Sequence, residues 1–232
     1  MTTTVDVGWG RTGARDLASR VDVLVVVDVL SFSTSLSVAL SRGAEVWPYA
    51  LGSDGAEQLA REIGAVLARG RSTRSGPTLS PASLVELAPG TRLVLPSPNG
   101  SAIAHAALGA GVDVVSACLR DATAATAYLR RYERVGLVAS GERWPDGTLR
   151  PAYEDWLGAG TVVAGLLAAG AAGSPDAVAA AQSAGRPQPL ASCPSGAELV
   201  ERGFASDVEL AEERDVTKTV AVLADGRFRA LA

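Results

Sequence analysis

The chain has one histidine, His105, one lysine, Lys218, and two cysteines, Cys118 and Cys193, in 232 residues. A single histidine excludes Ser-His-Asp and Cys-His triads of the ordinary kind, and with them multi-histidine metal centres. His105 itself reads as a packing or helix-surface residue. No lysine precedes Lys218, so no Walker A loop can form upstream of it. Such an excess of arginine over lysine is the usage of a GC-rich bacterial genome. Two cysteines make neither a disulfide framework nor a zinc-ligand pattern, and they fit a reducing, cytoplasmic setting. Cys118 lacks the downstream Arg loop of a cysteine phosphatase and reads as a small core residue; Cys193 is no better placed as a nucleophile. No apolar run approaches the roughly 20 residues needed to span a bilayer. The nearest, Ala159 to Gly173, is broken by glycines. The opening Met1-Thr-Thr-Thr-Val-Asp also lacks the basic-then-apolar order of a signal peptide.

Strong charge of either sign is missing too. A formal net charge of −4 argues against nucleic acid or an acidic membrane as the main partner. A small anionic ligand stays compatible, because one arginine or a metal ion reverses the local sign. Hydrophobic residues make up 47% and charged residues 20%, enough to build a packed interior from one domain spanning residues 1–232.

The run Val21 to Leu30 is almost wholly apolar and β-branched, the pattern of a central strand buried on both faces. It gives way to Ser31-Phe32-Ser33-Thr34-Ser35 and then an Ala/Leu helix closed by Gly43. Arg92 to Leu95, Ser97-Pro98-Asn99-Gly100-Ser101, Ala102 to Leu108 and Val112 to Ala117 repeat that plan of strand, Ser-rich turn, helix and strand. Strands and helices alternate onward through Val135 to Ala139, Tyr153 to Ala169 and Val216 to Leu223. The expected fold is a three-layer α/β/α domain with a mainly parallel or mixed sheet. The two similar βαβ units suggest a pseudo-duplication that sets two hydroxyl-lined helix N-termini near each other.

Three groups carry chemistry. Asp28 sits near the carboxyl end of its strand, where ligands bind in open α/β sheets. A lone buried carboxylate costs several kcal/mol unless it is paired or metal-bound. The Ser31 to Ser35 turn starts a helix, whose free N–H groups favour an anion. In the second turn, Asn99 offers an amide donor and Gly100 permits close backbone approach to a ligand. The third group is Gly141-Glu142-Arg143 followed by Glu154-Asp155 at a helix start. Mg²⁺ is commonly held by one or two carboxylates with waters and substrate phosphate, which suits such a pair.

Val27-Asp28-Val29-Leu30 with Ser33-Thr34, Ala39-Leu40 through Gly43-Ala44-Glu45-Val46, Asn99-Gly100-Ser101, Glu154-Asp155 with Ala159-Gly160, and Pro194-Ser195-Gly196 through Gly203, Asp207 and Asp215 recur in order along nearly the whole chain. In this combination the sequence resembles the 2-phosphosulfolactate phosphatase family of coenzyme M biosynthesis. The resemblance implies a Mg²⁺-dependent phosphatase that releases phosphate from a small ester. It implies Asp28, Glu154 and Asp155 as metal or catalytic carboxylates. It also implies substrate contacts from Ser31, Ser33, Thr34, Ser35, Asn99, Gly100 and Ser101. Ser31 stands where the family usually has Arg, and the family's Gly-Glu-Arg stretch falls near Arg69-Gly70-Arg71 without its Glu. Arg71 and Arg143 are the arginines expected to face the rest of the substrate. A homodimer is the expectation for an α/β enzyme of this size. The competing non-enzymatic reading is an anion-binding or regulatory module. A haloacid-dehalogenase-type site is disfavoured, because Leu30 stands where its second Asp would be.

Overall fold

A computed structural model describes residues 2–50, 52, 54–73 and 75–231. In chain order the strands are β1 (Thr4–Trp9), β2 (Val23–Val27), β3 (Glu45–Ala50), β4 (Val66–Leu67), β5 (Arg92–Ser97) and β6 (Asp113–Ser116). They continue with β7 (Arg134–Ala139), β8 (Glu142–Arg143), β9 (Leu149–Arg150), β10 (Ala172–Gly173), β11 (Val220–Ala224) and β12 (Arg227–Leu231). The helices are α1 (Gly10–Ala18), α2 (Phe32–Ser41), α3 (Ala56–Ile63), α4 (Gly100–Gly109), α5 (Ala122–Leu129), α6 (Tyr153–Ala168), α7 (Pro175–Ala184), α8 (Pro194–Glu201) and α9 (Ala205–Glu212).

Every residue of β2 is buried, as its unbroken Val-Leu-Val-Val-Val sequence requires, and β2 pairs in parallel with β7 on one side and β6 on the other. It forms part of a ten-stranded mixed sheet ordered β10-β1-β7-β2-β6-β11-β12-β3-β5-β4. The first five of these strands are mutually parallel, and so are the last three. The β11–β12 hairpin joins the two groups through antiparallel pairings to β6 and β3. The similar units seen in the sequence therefore lie in one continuous sheet and not in separate lobes. The β2–α2–β3 crossing and the β5–α4–β6 crossing pass between the same two strand groups in opposite senses.

Helices cover both faces. On one, Leu157, Val162 and Leu166 of α6, Ala180 of α7 and Val208 of α9 pack with Val25 and Val27 of β2. On the other, Leu17 of α1, Phe32 and Leu36 of α2 and Ile103 of α4 pack with Leu24 and Val26. This three-layer arrangement is the one the alternating pattern predicts. The Ala/Gly-rich stretch around Ala159 belongs to α6, where Gly160 lets α7 approach so closely that a methyl group there would collide with the Ala180 carbonyl. Among the described residues no helix is long and apolar enough to cross a membrane.

Two boundaries differ from expectation. The strand expected over Val21 to Leu30 is β2, which ends at Val27 and not at Leu30, because the next peptide groups bond to side chains instead of neighbouring strands. Asp28 N donates to Ser33 Oγ at 2.9 Å, Val29 N to Asp155 Oδ1 at 2.7 Å, and Val29 O accepts from Thr34 Oγ1 at 2.7 Å. The following helix starts at Phe32, inside the hydroxyl run, and Ser31 at its N-cap makes no side-chain cap bond. The polar stretch after β7, expected as a loop, folds as the β8–β9 hairpin. The Thr4–Trp9 strand carried a period-2 signal, with Val5 and Val7 facing the core.

Candidate active site

The carboxylate of Asp28 lies where α2 and α4 begin. Its Oδ1 accepts from Phe32 N at 3.3 Å and its Oδ2 from Gly100 N at 2.8 Å. The two Ser-rich turns of the sequence thus deliver two helix N-termini to one side chain, with their N–H groups and partial positive charge. Asp28 is 6% exposed, and burial, reinforced by the charge of Glu154, pushes its pKa up to about 6 against the pull of those two N–H donors.

A cavity of about 210 Å³ opens beside it. Acidic side chains reach it from Asp28, Glu142 and Glu198, and guanidinium groups from Arg71 and Arg202. Ser31, Ser97, Asn99 and Ser195 supply its neutral polar lining. Arg71 is held firmly. Its Nη1 donates to Asp207 Oδ2 at 2.6 Å, its Nη2 to Ser31 Oγ at 2.9 Å, and its guanidinium lies 5.3 Å from the Phe204 ring centre. Asp207 also accepts from Ser80 Oγ and from Ala82 N, so the carboxylate that fixes Arg71 is itself fixed. Arg71 therefore reaches the residue that stands in place of the family's usual arginine. Ser97 Oγ is buried with no hydrogen-bond partner, an unspent donor in the cavity wall.

The other hydroxyls of the first turn have a different task from the one expected. Ser33 Oγ donates to Val26 O at 3.2 Å, Thr34 Oγ1 to Val29 O, and Ser35 Oγ to Leu79 O at 2.8 Å. All three are buried, and only Ser31 of that run lines the cavity. In the second turn Asn99 lines it, Gly100 is committed to Asp28, and Ser101 Oγ donates to Leu95 O at 3.2 Å. Arg143 lies in an adjoining cavity.

Of the expected carboxylates Asp28, Glu154 and Asp155, only Asp28 lines the 210 Å³ cavity. Asp155 uses Oδ1 for Val29 N and Oδ2 for Gly141 N at 2.8 Å, which ties α6 to the ends of β2 and β7. Burial, with the charges of Asp28 and Glu154, raises its pKa well above the usual carboxylate range. Glu154 Oε2 accepts from Cys193 Sγ at 3.2 Å, and burial together with the Glu154 charge pushes that thiol up to about 12. At neutral pH Cys193 is an inert thiol.

The carboxylate that sequence reasoning left out is Glu142, which it noted only as a neighbour of Arg143. Glu142 Oε2 accepts from Asn99 Nδ2 at 3.2 Å. Burial, then the charges of Asp28 and Glu154, raise its pKa to about 7. Its only sequence signal was a position just beyond a buried strand.

Among the described residues no three His, Cys, Asp or Glu side chains converge as a ready-made metal cage. The expected trio therefore does not act as three ligands around one preformed centre. The donor chemistry nevertheless fits a hard divalent cation, because the side chains gathered here, Asp28, Glu142, Glu154 and Asp155, offer carboxylate oxygens, and neighbouring negative charge helps to raise the pKa of Asp28, Glu142 and Asp155. Mg²⁺ needs few protein ligands, and of the three expected carboxylates Asp28 is the one that lines the cavity.

A search among curated proteins finds no match to the chain. The family model described as 2-phosphosulpholactate phosphatase matches residues 13–226, a stretch that contains Asp28, Arg71, Asn99, Glu142 and Asp207. Members of that family are phosphatases, hydrolases of phosphoric monoesters. The match covers eight of the ten strands of the sheet and both helix N-termini at Asp28, and the chain belongs to the 2-phosphosulpholactate phosphatase family.

Proposed function

We propose that this protein hydrolyses a small phosphomonoester of an organic acid, in the manner of 2-phosphosulfolactate to sulfolactate plus phosphate, with Mg²⁺ as cofactor. The observation that carries the reading is the pairing, in one cavity, of two arginines with Asp28 and Glu142 at the start of two helices.

Arg71, Arg202 and the hydroxyls of Ser31 and Ser97 bind the phosphate oxygens, and Arg71 is oriented for this by Asp207. Asp28, at the cavity wall, would hold the cation, which when bound neutralises phosphate charge and favours attack by water. Water adds to phosphorus, releasing a proton to solvent, and the bond to the leaving oxygen breaks. The leaving oxygen takes a proton from Glu142, whose raised pKa keeps that proton available near neutrality. Glu142 is then reprotonated from solvent.

The test is release of inorganic phosphate from 2-phosphosulfolactate, phospholactate and p-nitrophenyl phosphate, with Mg²⁺ and with EDTA. Turnover that EDTA stops and Mg²⁺ restores supports the reading, as does loss of at least about 1000-fold in Asp28→Asn. Full activity in Asp28→Asn overturns the site, and no release from any ester overturns the enzyme.

A further inference from the structure

A second cavity, of about 340 Å³, adjoins the first. Asn99 and Glu142 line both, so their hydrogen-bonded pair forms the partition between them. Trp9, Ile103 and Leu149 give the second cavity an apolar wall within an otherwise largely polar lining. Trp9 is held in place by stacking on Trp156, with ring centres 5.3 Å apart and planes 6° from parallel.

The cavity is also basic, with Arg11 and Arg15 from α1 and Arg143 from β8 among its lining residues. Among the described residues none of these three forms an ion pair. Among the described residues Arg143 donates to Gly147 O alone, at 3.2 Å. α1 begins at this cavity with Trp9 at its N-cap, a side chain that cannot accept from the first-turn N–H groups. Ser140 also lines the cavity; it is 3% exposed and its Oγ has no hydrogen-bond partner. A buried, unsatisfied hydroxyl, uncapped N–H groups and three guanidinium groups without an ion pair among the described residues, beside the apolar wall of Trp9, Ile103 and Leu149, together define a receptor for an organic anion.

We propose that the second cavity receives the end of the ester's leaving group: a stem packed on Trp9, Ile103 and Leu149, longer than a compact two- or three-carbon acid, that ends in an oxyanion held by Arg11, Arg15 and Arg143. This rests on the phosphatase reading, with the scissile bond at the Asn99–Glu142 partition and phosphate on the Arg71 side. It gives the first 210 Å³ a single task and accounts for the additional 340 Å³, which phosphate and a short acid do not fill.

The experiment compares kcat/KM for phosphoglycolate, 4-phosphooxybutyrate and 6-phosphooxyhexanoate, each beside the alkyl phosphate of equal length. The expected result is a rise of about tenfold or more from the shortest to the longest acid, with each long acid preferred over its alkyl counterpart. Arg15→Gln, an exposed change that leaves the fold intact, lowers that acid-over-alkyl ratio about tenfold. A flat or falling series, or an unchanged ratio in Arg15→Gln, overturns the proposal. If no ester is hydrolysed, the phosphatase reading fails separately, and calorimetric titration of the full chain with hexanoate and with 6-sulfohexanoate still reads the cavity. Binding that weakens in Arg15→Gln supports an anion receptor, and no binding to the wild type overturns it.

Discussion

The N–H of Gly100 donates to Oδ2 of Asp28 at 2.8 Å across 72 residues of sequence, and no other residue type fits at position 100. A methyl group there would strike the Phe32 ring and lie 2.8 Å from the same carboxylate oxygen. Gly100→Ala is therefore expected to separate the starts of α2 and α4. Overpacking of this kind costs about 1–3 kcal/mol. Because the displaced group is Asp28, phosphate release should fall far more than stability does. Thermal unfolding and kcat measured on the same sample check this; a variant that keeps wild-type kcat would contradict it.

Activity should follow a narrow bell against pH. Asp28 gains a proton below about 6 and can then no longer attract a cation, so the rate falls on the acid side. Glu142 loses its proton above about 7 and can then no longer donate to the leaving oxygen, so the rate falls on the alkaline side. The kcat/KM profile should lose its alkaline limb in Glu142→Gln, at a rate reduced about 100-fold or more. An alkaline limb that survives this change removes Glu142 from the role of acid.

The same residue links activity to stability. The folded-state pKa of Glu142 is raised from 4.5 to about 7, so its contribution to folding is fully present below about 4.5 and is lost as pH rises through 7. Glu142→Gln keeps a carbonyl to accept from Asn99 and removes the buried charge. Relative to the wild type, its melting temperature should be higher at pH 8, by about 2 °C or more, and little changed at pH 4.5. Equal melting temperatures at both pH values would show that the charge carries no penalty.

Arg71 and Asp207 are a buried pair, with side chains 11% and 1% exposed. Removing one partner strands the other, at a cost of about 3–5 kcal/mol. Asp207→Ala should thus lower the melting temperature by about 10 °C and raise KM for phosphate esters. The double variant Arg71→Met/Asp207→Leu should regain stability without regaining affinity, because the packing is restored and the guanidinium is not. Recovery of both would mean that Arg71 does not touch the phosphate.

The sequence by itself determined the layers and the address of the site. The unbroken β-branched run before Asp28 cannot be satisfied except between two other strands, and a hydroxyl-rich turn after such a strand starts a helix at the sheet's carboxyl edge. Asp28 and Asn99 follow from those local rules, which act over a few residues of chain. Tertiary structure alone decided which hydroxyls face the ligand. Ser33, Thr34 and Ser35 turn to the carbonyls of Val26, Val29 and Leu79, which lie within reach, whereas Ser31, equally buried, turns into the cavity beside Arg71, 40 residues away. Glu142 was beyond sequence reasoning for the same cause. A carboxylate in a turn-rich stretch reads as solvated until the hairpin that carries it folds back against Asn99, and the loss of water there gives it a proton to donate.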